Sequence, residues 1–219
     1  MTSPSTTRPT IPTRSMTTLA LALTLSMLPG AGTTALAEGQ RSLVELEREI
    51  ARDYPTIGHV TPDELKAVLE RQPEKVLLLD ARGAGEIAVS RLPGAYEVDP
   101  EIGVDAFLER FGALVAGREV LIYCTVGVRS SRLATRLGDA LLKRGATRVA
   151  NLQGGIFALH NGRRPLVDTL GKTEWVHPYS SRWTYYLDRK DLSRFTPRTA
   201  DGERQGGTQQ NGWWRLLPH

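Results

Sequence analysis

Cysteine is almost absent from this sequence, which contains a single one, Cys124, among 219 residues. A single cysteine excludes an internal disulfide, so the thiol serves either packing or chemistry. Cysteine–histidine metal sites are also disfavoured, because the four histidines are scattered without the spacing that metal ligands show. We therefore predict that the protein uses neither a metal ion nor another cofactor.

An excess of charge of one sign is absent as well. The formal net charge is +4, from 28 basic and 24 acidic residues. Two of the basic residues, Arg8 and Arg14, lie in an N-terminal segment without acids, and without them 26 basic residues face 24 acidic ones. This balance argues against nucleic acid as a partner. The apolar run at residues 19–28 is too short to be a stable membrane anchor.

Residues 1–37 have the three regions of a secretory signal peptide. Two arginines supply the positive region, residues 19–28 form the apolar region, and Ala-Leu-Ala before Glu38 is a small-residue cleavage site. We therefore predict cleavage after Ala37 and an exported protein, either periplasmic or secreted. An unpaired thiol in an oxidising compartment indicates that the thiol has a chemical role.

From residue 57 onward, predicted strands and helices alternate. Apolar runs predict strands at residues 57–60, 76–80, 95–98, 120–123 and 147–152. Apolar periodicity and capping signals predict helices at residues 61–71, 104–114, 130–144 and 154–160, with a loop or short helix at residues 83–90. Such alternation predicts an α/β fold, in which a parallel sheet is covered by helices on both faces and binds ligands at the carboxyl ends of its strands. Asp80 and Cys124 both lie at such ends, and we expect them to face one crevice.

The segments that flank this domain have different characters. Residues 38–56 predict an amphipathic helix, and residues 168–195 form an aromatic-rich extension in which the rings stand among polar residues. We expect this extension to wrap around the domain and bury its rings, with a recognition surface as the alternative. Residues 196–219 are poor in apolar residues and are expected to be a disordered tail.

Cys124 follows the apolar strand at residues 120–123 and precedes a turn that contains Gly127. Alone, a cysteine at the end of an apolar strand is most often a small buried hydrophobe. Gly127, Arg129 and a helix that starts at once after the loop favour a catalytic nucleophile instead, because unpaired backbone N–H groups and the helix dipole stabilise a thiolate. The residues predicted to bind the sulfur and its substrate are Thr125, Val126, Gly127, Val128, Arg129 and Ser130.

The pattern Cys-x-x-Gly-x-Arg-Ser, between a strand and a helix, resembles the active-site loop of the rhodanese (sulfurtransferase) family. Three other segments resemble motifs of that family in the same order. They are Asp80-Ala81-Arg82 at the end of a strand, Glu86 followed by Ser90-Arg91-Leu92-Pro93-Gly94-Ala95, and Leu152-Gln153-Gly154-Gly155-Ile156. The resemblance covers residues 57–167. It departs from the family's pattern at Ser90-Arg91, where Gly-His is usual, and at Leu159, where Trp is common.

This resemblance implies a single rhodanese-like domain, built on a small parallel sheet of about five strands with helices on both faces. It implies a sulfurtransferase that carries sulfane sulfur as a persulfide on Cys124. Thiosulfate would be the donor and cyanide or a thiol the acceptor, with an exported thiol protein as a further partner. Asp80, Arg82 and Glu86 would be supporting residues. Arg129 either binds an anionic donor or pairs with an acid such as Asp80 or Glu86.

Two alternatives stay open at this point. Cysteine-dependent phosphatases and arsenate reductases use Cys-x5-Arg, one residue longer than the Cys124-x4-Arg129 spacing of this chain. The shorter loop suits one sulfur atom better than a phosphoryl group, which an arginine of those enzymes binds through two hydrogen bonds. The other alternative is a rhodanese-like module that binds without catalysing, although such modules often lack the cysteine that this chain keeps.

Overall fold

The computed structural model describes residues 42–199, which contain a five-stranded parallel sheet, a two-stranded hairpin and a C-terminal extension. The strands are β1 (Gly58–Val60), β2 (Val76–Asp80), β3 (Tyr96–Glu97), β4 (Glu119–Tyr123), β5 (Arg148–Leu152), β6 (Leu166–Asp168) and β7 (Gly171–Thr173). The α-helices are α1 (Leu43–Asp53), α2 (Pro62–Arg71), α3 (Ala84–Val89), α4 (Val104–Phe111), α5 (Val128–Lys143) and α6 (Gly155–Asn161). Short 3₁₀-helices are formed by Pro73–Lys75, Gly112–Leu114, Ser181–Tyr186 and Lys190–Leu192.

The strand that precedes Cys124, β4, lies at the centre of the sheet. The strand order is β1-β5-β4-β2-β3, and every neighbouring pair is parallel. Because Asp80 of β2 pairs with Tyr123 of β4, the chain leaves both strands at the same edge of the sheet. This topology confirms the predicted α/β fold with a parallel sheet of five strands, and it places the cysteine loop at the edge where such sheets bind ligands.

Each face of the sheet buries its own apolar cluster, because successive residues of a strand point to opposite faces. Leu121 and Tyr123 belong to one cluster, which includes residues of α2 and α6. Val120 and Ile122 belong to the other, which includes residues of α4 and α5. Burial on both faces explains why β4 is a continuous apolar run in the sequence. Among the helices between residues 42 and 199, none combines the length and apolar character that crossing a membrane requires.

Local sequence signals explain where the helices begin. Thr61 and Glu64 form the predicted capping box at the start of α2, with Pro62 in its first turn, and α1 begins with a capping box of the same kind. Helix α5 begins at Val128, two residues before its predicted start. The residue before it, Gly127, has a φ of 113°, a conformation that favours glycine and turns the chain directly into the helix.

The aromatic-rich extension packs on the core through aliphatic residues and two of its rings. Val176 and Leu187 are fully buried in the cluster that α2 and α6 also line, and Trp183 and Tyr186 pack against that cluster. Tyr179, in contrast, leaves 52% of its surface exposed. The extension thus packs on one apolar cluster of the domain, and it does not bury all of its rings.

An ion pair lies near the end of the described residues, where the sequence predicts that the disordered tail begins. Nε and Nη2 of Arg198 donate hydrogen bonds to the buried carboxylate of Asp168, at 2.6 and 2.8 Å. This bidentate ion pair joins residues 196–199 to the hairpin of β6 and β7, and composition alone does not reveal such a pairing. The rest of the predicted tail and the predicted signal peptide at residues 1–37 lie outside the described residues.

Candidate active site

Cys124 is the first residue after β4 and opens a four-residue turn into α5. The backbone N–H of Gly127 donates a hydrogen bond to Sγ of Cys124, with 3.2 Å between nitrogen and sulfur. Only 1% of the surface of Cys124 is exposed. The backbone therefore places a hydrogen-bond donor on the sulfur in a nearly dry environment, an arrangement that suits an anionic sulfur.

Gly127 is required by close packing as well as by its backbone angle. A Cβ at this position would lie 3.1 Å from Nδ2 of Asn151 and 3.5 Å from Cδ1 of Ile50. Asn151 also accepts a hydrogen bond from Oγ of Ser130, at 2.7 Å, so Ser130 is bound to the scaffold rather than to the thiol. Sequence reasoning missed Asn151, although an amide within an otherwise apolar strand was a usable signal.

Helix α6 anchors the cysteine loop. The N–H groups of Ile156 and Phe157 donate to the carbonyl oxygens of Cys124 and Thr125, at 2.9 and 3.2 Å. Gly155 permits this close approach, since its φ is 53° and a Cβ there would lie 2.3 Å from the carbonyl oxygen of Cys124. The first two carbonyl oxygens of the loop are thus turned toward α6. This close approach explains why the second residue of the Gly-Gly motif is a glycine.

The charge of Arg129 is neutralised inside the site. Nη1 and Nη2 of Arg129 donate to the two carboxylate oxygens of Glu86, at 2.9 and 2.8 Å, and Nη2 also donates to Oγ1 of Thr125 at 2.8 Å. Oγ1 of Thr125 donates in turn to Glu86, at 2.8 Å. Burial works to raise the pKa of Glu86, but the hydrogen bonds and charge of Arg129 outweigh it and hold that pKa below its ordinary value. Of the roles that the sequence left open for Arg129, the structure shows pairing with Glu86.

Asp80 and Arg82 form a second ion pair, which is fully buried. Nε and Nη2 of Arg82 donate to the carboxylate oxygens of Asp80, at 2.9 and 2.7 Å, and Nη2 also donates to the carbonyl oxygen of Ser90 at 2.6 Å. We expected Asp80 and Cys124 to face one crevice. This expectation is wrong for Asp80, because its carboxylate is buried and is bound by Arg82. A buried carboxylate needs such a counter-charge. The pair joins the end of β2 to Ser90, which is a supporting role.

The side chains of the two valines of the loop point into the core. Val126 is buried in the cluster that includes Tyr123, and Val128 packs against the same cluster. Both side chains thus belong to the core. Of the loop residues predicted to bind sulfur, Gly127 is the one that hydrogen-bonds to Sγ in the described part of the chain.

Comparison with known proteins identifies the domain. The family model of the rhodanese-like domain matches residues 61–161. A sulfurtransferase from Allochromatium vinosum is 34% identical to this chain over 94 residues, which are 43% of this chain and 80% of the relative. The chain belongs to the rhodanese family. This membership, together with the relative, supports sulfurtransferase activity in general.

Other similarities say less about the reaction. The tRNA uridine(34) hydroxylase of Staphylococcus aureus is 29% identical over 117 residues, which are 52% of this chain but 34% of the hydroxylase. A solved structure from Rhodopseudomonas palustris, described as a possible tyrosine phosphatase, is 20% identical with a TM-score of 0.43 and covers 58% of this chain and 95% of that one. The first similarity spans about a third of the relative and the second is distant, so neither assigns a specific reaction to this rhodanese.

Two residues beyond the matched rhodanese segment also lie at the site. The ring centroid of Tyr179 is 4.9 Å from Cζ of Arg129, and the backbone N–H of Tyr179 donates to Nδ1 of His177 at 3.0 Å. Burial lowers the pKa of His177. The charge of Glu86 acts to raise this pKa, and the charge of Arg129 acts to lower it. Sequence reasoning missed the place of both residues, because neither belongs to a motif. Within residues 42–199, the histidines, cysteine and acids form no group of three that could hold a metal ion.

Proposed function

We propose that this protein is a sulfurtransferase that moves sulfane sulfur from a donor such as thiosulfate to a thiophilic acceptor through a persulfide on Cys124. The observation that supports this most is the hydrogen bond from the Gly127 N–H to Sγ of Cys124, in a loop whose carbonyl oxygens are bound by α6. A persulfide is anionic near neutral pH, and preorganised backbone donors stabilise an anion without a counter-charge.

The reaction has two steps. In the first, the thiolate of Cys124 attacks the outer sulfur of thiosulfate, an S–S bond to Cys124 forms, the S–S bond of thiosulfate breaks, and sulfite leaves with its electron pair. In the second, an acceptor such as cyanide attacks the outer sulfur of the persulfide, thiocyanate forms, and the Cys124 thiolate leaves with the electron pair of the broken bond. No general base is needed once the thiol is ionised.

The arrangement of Arg129 favours sulfur transfer over phosphate ester hydrolysis. An arginine that binds a tetrahedral oxyanion presents two N–H groups to that anion. Here Nη1 and Nη2 of Arg129 both bind Glu86, and the Cys124-x4-Arg129 loop is one residue shorter than Cys-x5-Arg. Sulfur transfer makes no such demand on the arginine, because a single sulfur atom can be held by backbone N–H groups.

Steady-state assays on the purified protein separate the three functions. We expect thiocyanate to form from thiosulfate and cyanide, and we expect the rate in Cys124→Ser to fall by at least about 10³-fold because the nucleophile is lost. Ser131→Ala is a matched control in the first turns of α5 and should keep wild-type activity. Hydrolysis of an aryl phosphate without thiocyanate formation would assign the phosphatase, and absence of both activities, with glutathione persulfide as donor too, would assign the binding module.

The partners and location that we propose follow from the sequence. The signal-like segment at residues 1–37 supports export to the periplasm or beyond. The partners would then be small sulfur donors and acceptors or an exported thiol protein. The near balance of charge supports a protein that does not act on nucleic acid.

A further inference from the structure

One helix connects the cysteine loop with the aromatic-rich extension. The N-terminal end of α6 binds the first two carbonyl oxygens of the loop, and its C-terminal end binds the extension at two places. Nδ2 of Asn161 donates to the carbonyl oxygen of Tyr186 at 2.8 Å, and Oδ1 of Asn161 accepts from the N–H of Asp188 at 3.0 Å. Nε2 of His160 lies 3.0 Å from the carbonyl oxygen of Glu174, to which it donates. Hydrogen bonds to α6 therefore fix the position of the chain at Glu174, Tyr186 and Asp188, and the same helix binds the cysteine loop.

Tyr179 is the residue of this segment whose ring covers the arginine of the loop. Its ring lies over the guanidinium of Arg129 and meets the ring of Trp183 edge to face, with 6.1 Å between centroids. The φ of Tyr179 is 64°, a conformation that is costly for a residue with a side chain, and its N–H is bound by His177. Yet 52% of Tyr179 stays exposed. The ring is thus constrained, half-exposed and next to Arg129, the last residue of the Cys124-x4-Arg129 spacing.

The electrostatics beside this ring do not suit a small dianion. Both terminal nitrogens of Arg129 bind Glu86, and one face of its guanidinium is covered by Tyr179. Nδ1 of His177 accepts a hydrogen bond from the N–H of Tyr179, and burial lowers the pKa of this imidazole, so both observations favour its neutral form. Thiosulfate would bring two negative charges to a loop whose arginine is already paired with Glu86, which makes its desolvation unfavourable. An organic persulfide brings one charge at its reacting end and a carbon group that can pack on an aromatic ring.

We propose that Tyr179 is a specificity-determining residue that makes this enzyme favour organic persulfides over thiosulfate as sulfur donors. The ring contacts the carbon part of the donor and shields Arg129 from small anions. Because only 1% of Cys124 is exposed, the residues that border the loop control access to the thiol. This inference rests on the proposed function, since it assumes that Cys124 accepts sulfur.

The transfer step has the same electron balance as with thiosulfate. The thiolate of Cys124 forms a bond to the outer sulfur of a persulfide R–S–S⁻, and the S–S bond of the donor breaks. The thiolate R–S⁻ leaves with the electron pair of that bond and takes a proton from water. The thiol product is larger than sulfite and carries less charge at its reacting end.

Donor selectivity measured on the full chain tests this role. The rate of Cys124 persulfidation is followed by intact mass with glutathione persulfide and, separately, with thiosulfate, and the ratio of the two rate constants is compared between variants. We expect a wild-type ratio above one that falls about fivefold in Tyr179→Ala, because the organic donor loses a ring contact while Arg129 becomes more exposed to thiosulfate. Tyr179→Phe keeps the ring and should keep the ratio.

Tyr96→Ala is the matched control, since Tyr96 is 48% exposed and its ring contacts Phe111 rather than Arg129. If Tyr179 had a purely structural role, Tyr179→Ala would slow persulfidation by the same factor with both donors and leave the ratio unchanged. That result would overturn the inference. A wild-type ratio below one would overturn it as well. If neither donor forms a persulfide on Cys124, the proposed function fails together with this inference. If the persulfide forms but the ratio of the two rate constants is the same in wild type and in Tyr179→Ala, this inference alone fails. Should Tyr179→Ala not fold, Tyr179→Asn tolerates a positive φ and supplies the same comparison.

Discussion

Arg129 donates two hydrogen bonds to the carboxylate of Glu86, and both residues share the hydroxyl group of Thr125. Arg129 lies in the first turn of α5 and Glu86 lies in α3, so the pair joins the end of the cysteine loop to a neighbouring helix. The loop is therefore held at its end by an ion pair within the protein.

Replacing Glu86 by Gln should lower the free energy of unfolding by about 2 kcal/mol near pH 7, because Arg129 keeps its charge and loses its partner. The pKa of Glu86 is lower in the folded protein than its ordinary 4.5, so the stability it contributes is present above that value and is lost as pH falls through the folded pKa. The difference between wild type and variant should therefore shrink below pH 4.5. Chemical denaturation across a pH series measures it.

Glu70→Gln is the control for this experiment, since Glu70 forms a more exposed pair with Lys66 within α2. Such pairs contribute about 0–1 kcal/mol, so the control should change stability little at any pH. A Glu86→Gln penalty that did not depend on pH would contradict the assignment of an ionised, paired carboxylate.

Gly155→Ala should slow sulfur transfer by about 10²-fold and lower the free energy of unfolding by about 1–3 kcal/mol. The added Cβ would meet the carbonyl oxygen of Cys124 and would also occupy a positive φ, so the loop must shift away from α6. Gly138→Ala is the control in α5, where a Cβ meets no atom within 4 Å. It should keep full activity and gain about 0.5–1 kcal/mol. Wild-type activity in Gly155→Ala would show that the anchoring by α6 is not needed.

Loop length should decide the reaction class. Inserting one Gly between Val128 and Arg129 creates the Cys-x5-Arg spacing and widens the turn. It also moves Arg129 away from its partner Glu86. Since losing one donor in a preorganised site costs about 10²-fold or more, we expect sulfur transfer to fall by about that factor and aryl phosphatase activity to appear only weakly. Thiocyanate formation and aryl phosphate hydrolysis measure the two activities. An inserted variant that transfers sulfur as fast as wild type would show that the size of the loop is not selective.

Export predicts a defined mature chain. Protein isolated from its native host should begin at Glu38, because the charged, apolar and Ala-Leu-Ala regions stand in the order of a signal peptide. Intact-mass measurement checks this, and a mature protein that kept Met1 would remove the argument for an exported enzyme.

Local patterns made the frame of the domain predictable. The apolar run of β4 indicated a strand buried on both faces, and Thr61 with Pro62 marked the start of α2 within one residue. Cys124 and Gly127 were predicted as site residues because a lone thiol, a glycine turn and a helix start are adjacent in the chain. Each of these signals lies within a few residues of the feature it predicts.

The pairings across the site were not predictable to the same degree. Asp80 and Glu86 are both acids that lie at or shortly after the end of β2. Only the packed structure shows that Arg82 pairs with Asp80 and that Arg129 pairs with Glu86. Tyr179 reaches Arg129 because α6 anchors a distant segment, and a contact of that range leaves no periodic or local trace in the sequence.

The most direct test of the central claim is the mass of the protein after incubation with a sulfane-sulfur donor. Wild-type protein treated with thiosulfate or glutathione persulfide should gain the mass of one sulfur atom, located on the peptide that contains Cys124, and should lose it again on addition of cyanide. Cys124→Ser should gain none. A wild-type protein that stays unmodified with both donors, or a Cys124→Ser variant that transfers sulfur at the wild-type rate, would contradict the account.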